Sequence, residues 1–473
     1  CGDGGIGGIT ARGRAPQAGP KGEIMLSHLR YFKYQALNSF WFTPSLMWLF
    51  ALFMAGMTLW ADHAGLGAAF LSPLPFFDVD ADGARAILST IAGSLITVTS
   101  LVFSLTLVTL TMASSQLGPR LIGKFISDRL VQFTLGSYVS TFSYALIVLR
   151  SVAGGEEAFV PVLSLHFAIL GTLFCFGLLI AFIHHVAIII QADWVIFSVA
   201  DDLLDAMPRA FPEEKSDEES RSAARAKEES TLKALSDLAP LPVKAEKSGY
   251  VQTLSPGPLA ELAEKRDSFI RLLYRPGHYI VAGSTIAYGG PAIEEGDHEK
   301  IRAALVLGPK RSAAQDIEFA VTALVEIALR ALSPGINDPR TAIACIDWLT
   351  AAAARAMQGE APPALLCDKE NTPRLWRDIV SFEGFIDCAF NEIRQAARDN
   401  VAVTLRLIES ITRLGEFIRT DEHWQVLSAQ ANKIESSLET YFAESSDTDD
   451  LLQRLSELRK SLEAARPAHK HLT

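Results

Sequence analysis

The sequence predicts a mainly α membrane protein: four transmembrane helices, then a cytoplasmic part made of a small β domain and an α-helical bundle. Three observations predict it. Hydrophobic residues are 49% of the 473, and mean hydropathy is +0.21, high for a soluble protein. The long apolar runs fall in roughly the first 200 residues. The remainder mixes a glycine-punctuated, β-forming stretch with long amphipathic helical patterns.

The spans are expected over residues 42–60, 84–112, 131–149 and 160–190. Trp41 and Trp60 bracket the first, roughly 28 Å apart at 1.5 Å per residue, close to the hydrocarbon thickness. The fourth is longer than a span needs and is expected to tilt or project. Arg30 and Lys33 precede span one, and Arg120, Lys124 and Arg129 lie between spans two and three. The loop from Ala61 to Gly83 has no Lys or Arg but carries Asp62, Asp78, Asp80 and Asp82. Positive charge marks the cytoplasmic side, so both termini are expected there. The transmembrane domain is placed at 25–200. Residues 1–24, Gly-rich and starting at Cys1 without Met, are expected to be a disordered extension, with Met25 as the natural start.

Span two carries a hydroxyl stripe. Thr90, Ser94, Thr97, Ser100, Ser104 and Thr111 fall within about a 120° arc at 100° per residue. Such a stripe could line a water-filled path, which makes these the candidate pore-lining residues. Close helix packing, with hydroxyls bonded back to their own helix, is the plainer alternative. No charged side chain lies deep in any span, so the usual mark of a proton relay is missing. Arg85, at the outer end of span two, is placed to reach the interface. His166, His184 and His185 stand out in span four, and the adjacent pair points about 100° apart, which suits interhelical bonding better than one metal. "DVDADG", Asp78–Gly83, is half a calcium loop. Its positions nine and twelve are Ala86 and Ser89, so helix capping by Asp80 or Asp82 explains the acids more economically. Between spans two and three, "SSQLGPRLIGKFISDRLVQ" reads as an interfacial helix.

Residues 211–240 form a charged linker, and 241–308 a small β domain. There the pattern gives a strand at 249–254, a helix at 257–265, a strand at 268–274, a turn at Arg275-Pro276-Gly277 and a strand at 279–288. Its rhythm is similar to biotinyl and lipoyl half-barrels, but the tip carries no lysine for covalent attachment. A helical bundle is expected over 309–466. Ser312 with Gln315 has the capping-box pattern for its first helix. That helix halts at "ALSPGINDPR", where Gly335 is expected to take positive φ, Asp338 to cap the next helix and Pro339 to sit at its first position. Further helices are expected at 372–397, 400–419, 421–443 and 447–464.

The strings "ARAILSTIAGSLITVTSLVFSLTLVTL", "SSQLGPR", "RPGHYIVAG", "QDIEFA" and "ALSPGINDPRTA" closely resemble the bacterial predicted membrane proteins of the domain of unknown function 2254 family. The resemblance runs from about Met25 to the last helices. It implies four spans and a cytoplasmic C-terminal region, with the chain expected in a bacterial inner membrane, and it brings no reaction and no catalytic residue.

Net charge is −11, which argues against nucleic acid as a partner. The five cysteines (Cys1, Cys175, Cys345, Cys367, Cys388) have no zinc spacing and read as reduced thiols. P-loop, G-x-S-x-G, H-E-x-x-H and Rossmann signatures are missing, so no cofactor, metal or catalytic residue is assigned. Three readings follow. One is a homo-oligomeric channel with a cytoplasmic regulatory domain. The second is a membrane-tethered scaffold or sensor that binds a cytoplasmic protein or small ligand. The third is an enzyme using the polar cluster Arg311, Gln315, Asp316, Glu318, Asn337, Asp338 and Arg340. The lipid bilayer is a partner in each.

Overall fold

A computed structural model describes residues 41–66, 79–117, 128–154, 159–213, 227–228, 230–231, 233, 241–441 and 448–467. The N-terminal extension, most of the linker and the core of the interfacial-helix stretch lie outside these. The chain divides into two compact units, the first reaching Ala187 and the second running essentially from Ile188 to the C-terminus.

Among the described residues, four helices are long and apolar enough to cross a membrane. They are α1 (Phe42–His63), α2 (Ala81–Leu117), α3 (Arg129–Ser151) and α4 (Val162–Ile189). Each contains nearly all of the span read from hydropathy. A common core forms from Ala84, Leu88, Ile91 and Leu95 of α2, Tyr138, Tyr144 and Val148 of α3, and Leu165, Ala168 and Cys175 of α4. Small residues and hydroxyls supply the contacts between helices, as expected where lipid gives no hydrophobic drive. Gly136 brings α3 against Pro44 and Met47 of α1. Trp48 Nε1 donates to Ser143 Oγ at 3.0 Å, and Thr58 Oγ1 and Tyr144 Oη lie 2.8 Å apart. Asp62, at the end of α1, caps α4, accepting Leu163 N at 2.9 Å, Ser164 N at 3.0 Å and Ser164 Oγ at 2.7 Å. A carboxylate there satisfies orphan amides at the positive end of the helix dipole.

The second unit opens with a helix the sequence reading passed over, α5 (Ala192–Ala210). It buries Val195, Ile196, Val199, Leu203 and Met207 on one face, at three- and four-residue spacing. Next come β1 (Leu241–Lys244), β2 (Gly249–Leu254), α6 (Pro256–Lys265), β3 (Ile270–Leu272), β4 (Tyr279–Ile280), β5 (Thr285–Gly289), α7 (His298–Ala303) and β6 (Leu305–Gly308). The single strand expected at 279–288 is therefore two, split by a turn in which Gly283 has φ 86°. That value is open to glycine without a Cβ penalty.

After α8 (Ile317–Ala331) and α9 (Pro339–Gln358), a hairpin intervenes where only helix was expected: β7 (Leu365–Cys367) and β8 (Pro373–Trp376). It returns to the β region, where β8 pairs parallel with β3, giving the five-stranded order β1-β5-β3-β8-β7. A three-stranded antiparallel sheet, β4-β2-β6, stands beside it. Their shared core includes Val243, Val251, Ile270, Leu272, Ile286, Ile301 and Leu375. Each such fully buried side chain stabilises by about 1.5–3 kcal/mol.

The bundle is completed by α10 (Phe382–Ala396), α11 (Val401–Gly415), α12 (Asp421–Tyr441) and α13 (Thr448–Ala464). The helix expected from residue 372 starts ten residues later because β8 occupies its beginning; Ser381 caps α10 by accepting Gly384 N at 3.0 Å. Helices α8 and α9 pack on α5, on each other and on α10, and α9 also packs on α11.

Candidate functional site

The hydroxyl stripe of α2 lies opposite its buried face. Thr90, Thr97, Ser100, Ser104 and Thr111 are exposed and Ser94 is half-buried. Most bond back to their own helix: Thr90 to Ala86 O at 2.7 Å, Ser94 to Ile91 O, Thr97 to Gly93 O and Ser100 to Ile96 O at 3.0 Å each, and Thr111 to Leu107 O at 2.7 Å. Such bonds satisfy the hydroxyl donor and leave a lone pair outward. Gly93 sits within the stripe, with nothing within 4 Å of where a Cβ would stand.

Other singled-out groups of this unit have structural partners. Asp80 Oδ1 accepts Gly83 N at 2.9 Å, capping α2, and Asp82 pairs with Arg85 at 3.6 Å. Arg85 also donates to Val152 O at 3.0 Å. Asp78 lies outside the described residues. His185 Nε2 meets Asp128 Oδ2 at 2.9 Å, and the same carboxylate caps α3 through Val131 N. His184 is exposed and His166 Nδ1 lies 2.6 Å from Val162 O. Among the described residues, no group of three His, Cys, Asp or Glu side chains is placed to hold a metal.

The polar cluster of the second unit separates into two groups, one at each end of α8. A helix of 15 residues is about 22 Å long, so the groups do not converge on one substrate.

The first group holds Arg311, Gln315, Asp316 and Glu318. Asp316, not Ser312, caps α8, accepting Phe319 N at 3.1 Å. Ser312 accepts only Ala314 N, at 3.3 Å. Asp316 receives both Arg311 Nε (2.8 Å) and Arg311 Nη2 (3.0 Å), and its side chain is 1% exposed. A fork-shaped guanidinium matches a buried carboxylate in this way. Gln315 reaches sideways to accept Leu254 N of β2 at 2.8 Å.

Three neighbours escaped the sequence reading. Arg275, at the Arg-Pro-Gly tip, donates to Glu318 at 2.7 Å and Asp378 at 2.8 Å. Burial opposes its charge, but Glu318 and Asp378 outweigh that and hold the guanidinium above its ordinary pKa. His278 is the third. Burial pushes its imidazole below the ordinary value, and Arg275 adds to that. Gly277 has φ 95°, and a Cβ there would collide with the Asp316 carboxylate. Burial, with Glu318 and Glu392 nearby, pushes the Cys388 thiol up to about 12. The arrangement is a set of ion pairs that clamps the β region to the bundle.

The second group, Asn337, Asp338 and Arg340, forms the corner between α8 and α9. Gly335 does not take positive φ; Asn337 does, at 49°. The closing bonds run from Asn337 N to Ser333 O (2.9 Å) and from Asp338 N to Ala331 O (2.8 Å). They place the left-handed residue at position 337, where Asn is tolerated because its short polar side chain stabilises that region. Asp338 then caps α9 through Arg340 N (3.1 Å), Thr341 N (3.3 Å) and Thr341 Oγ1 (2.6 Å). These bonds hold its carboxyl below the ordinary range. The Arg340 side chain is exposed.

An open groove between α10 and α12 contains Arg394 and Lys433, but Arg394 donates to Ser437 and Lys433 to Asp387.

The family described as "Predicted membrane protein (DUF2254)" matches residues 37–413. An uncharacterized protein of Mycobacterium bovis and one of Mycobacterium tuberculosis are each 27% identical over 372 residues, covering 77% of this chain and 70% of the relative. No solved structure matches the chain.

Proposed function

Starting from the fact that this chain belongs to the predicted membrane protein family of domain of unknown function 2254, we propose that it is a homo-oligomeric, channel-like protein of the bacterial inner membrane. One observation carries this reading: the α2 hydroxyl stripe faces outward from the protomer. A single copy would present five hydroxyl-bearing residues to lipid along a helix that has apolar side chains to spare. In a ring of copies the same face meets water or another α2. Gly93 and the small side chains around it permit close approach, and the outward lone pairs suit a hydrated path. Both termini lie in the cytoplasm in this reading, and the second unit regulates the path.

A tethered scaffold or sensor is the competing reading. Tyr279, Val281 and Val306, on and beside the three-stranded sheet, are 52%, 57% and 44% exposed, a patch able to receive a cytoplasmic protein or small ligand. Mass measured by light scattering in detergent separates the two. A multiple of the 51.4 kDa chain mass supports the ring, and a clean monomer removes it.

A further inference from the structure

Of the four candidate spans, α3 is the least hydropathic and the most enclosed by its own unit. Enclosure accounts for the composition, because polar side chains in a span turn inward, away from lipid. Thr58 of α1, Thr134, Ser137 and Ser140 of α3, and Ser164 and Thr172 of α4 are all at least nine-tenths buried.

Most of these hydroxyls have partners. Thr134 donates to Leu130 O and Thr172 to Ala168 O, each at 2.7 Å. Thr58 meets Tyr144, and Ser164 donates to Asp62. Ser137 Oγ and Ser140 Oγ differ. Both are shielded from solvent, and neither has a hydrogen-bond partner among the described residues. Ser137 is 5% exposed and Ser140 8%. A hydroxyl buried in a span without a partner is costly, since lipid offers it none.

The two aim into one seam. Ser137, Ser140 and Tyr144 stand three and four residues apart, within about a 60° arc at 100° per residue. Tyr144 fixes where that arc looks. Its Oη lies 2.8 Å from Thr58 Oγ1 of α1 and donates to Ser164 O of α4 at 3.2 Å. The arc therefore faces the seam between α1 and α4, whose end is marked by the Asp62 carboxylate on Ser164. From Tyr144 to Ser137 is about 10 Å of helix, and Ser140 is the middle residue of α3.

We propose that this seam binds water: a short file enters beside Asp62, passes Tyr144 and ends at Ser137, bonded by the Ser140 and Ser137 hydroxyls. An internal water makes about three hydrogen bonds, and three hydroxyls at one-turn spacing serve that need. Beyond Ser137 the same face continues with Phe133 and Leu130, whose apolar side chains end the file. The cleft lies within a single chain and needs no ring of copies, so it stands apart from the α2 stripe. It carries water to the middle of a span, where polar groups mark pathways rather than anchors.

The test measures thiol accessibility in lipid nanodiscs, with a charged methanethiosulfonate reagent and peptide mass spectrometry, so the native cysteines stay in place. Ser140→Cys and Ser137→Cys are compared with Ala145→Cys, buried on α3 outside the arc, and with Ile180→Cys, exposed on α4. The expected result is modification at 140 and 137 at least about tenfold faster than at 145 or 180. Rates at 140 and 137 no higher than at 145 would overturn the proposal. Modification at 140 alone would stop the water short of Ser137 and overturn the file as drawn. A rate at 180 equal to that at 140 would instead sink the reading of α4 as a span, and the proposal with it. If a serine variant aggregates, the unsubstituted protein decides. X-ray radiolysis in heavy-oxygen water is expected to label Tyr144 several-fold more than Tyr138, which lies outside the arc and donates to Cys175 O at 2.8 Å. Equal labelling of the two tyrosines would overturn the proposal.

Discussion

Arg275 Nη2 donates to Glu318 Oε1 at 2.7 Å, joining the tip of a β turn to the first turn of α8, 43 residues further on. The side chains are 20% and 18% exposed, so water screens the pair only in part. Replacing Arg275 with Met leaves Glu318 and Asp378 without their cation. The expected cost is about 2–3 kcal/mol. Hydrogen exchange in the full-length protein checks it: amides of β3, β5 and the first turns of α8 lose protection together, while those of α11 do not. A double-mutant cycle with Glu318→Gln is expected to be non-additive.

Asn337 occupies the left-handed region at φ 49°. Asn337→Gly is expected to be neutral or slightly stabilising. Asn337→Val is expected to cost about 1–2 kcal/mol, since a β-branched side chain crowds the following carbonyl there. Exchange protection of the last turn of α8 and the first of α9 reports the difference.

Asp338→Ala removes the cap of α9 and is expected to cost about 1 kcal/mol. Because the folded pKa lies below the ordinary 3.8, this contribution is fully present above that value and is lost as pH falls through the folded pKa. The gap in stability between native protein and Asp338→Ala should therefore close only in strong acid.

His278 gives the opposite kind of dependence. Its folded pKa is below 6.5, lowered by burial and Arg275 against the pull of Asp378, Glu318 and Asp316. The unfolded chain binds the proton first, so stability is full above pH 6.5 and falls as pH drops through and below that value. His278→Gln should flatten the denaturation midpoint between about pH 6.5 and 5, the range of histidine titration. An unchanged slope would contradict the assignment.

The spans were legible in the sequence because hydropathy is a local property, summed along one helix. So was Asp338 as a cap, since its partners are two and three residues away. What stayed hidden was decided at long range. Arg275 and Asp378 are 103 residues apart, and nothing in either stretch names the other. Strands β7 and β8 are three and four residues long, and β8 is held by pairing with β3 rather than by its own propensity. Helix α5 was passed over because its pattern begins directly after an apolar span. At the corner, Gly335 and Asn337 both admit positive φ, and only the closing bonds to Ala331 and Ser333 decide between them. The hydroxyl stripe was visible as a 3.6-residue pattern, but its outward orientation depends on which face of α2 the core takes.

Ion flux through proteoliposomes, with the native protein beside Ser104→Trp, tests the channel reading most directly. Flux of a small inorganic ion that Ser104→Trp abolishes, with oligomer mass unchanged, is the predicted result. No flux of potassium, sodium or chloride from an intact oligomer, or flux undiminished by the tryptophan, would contradict it.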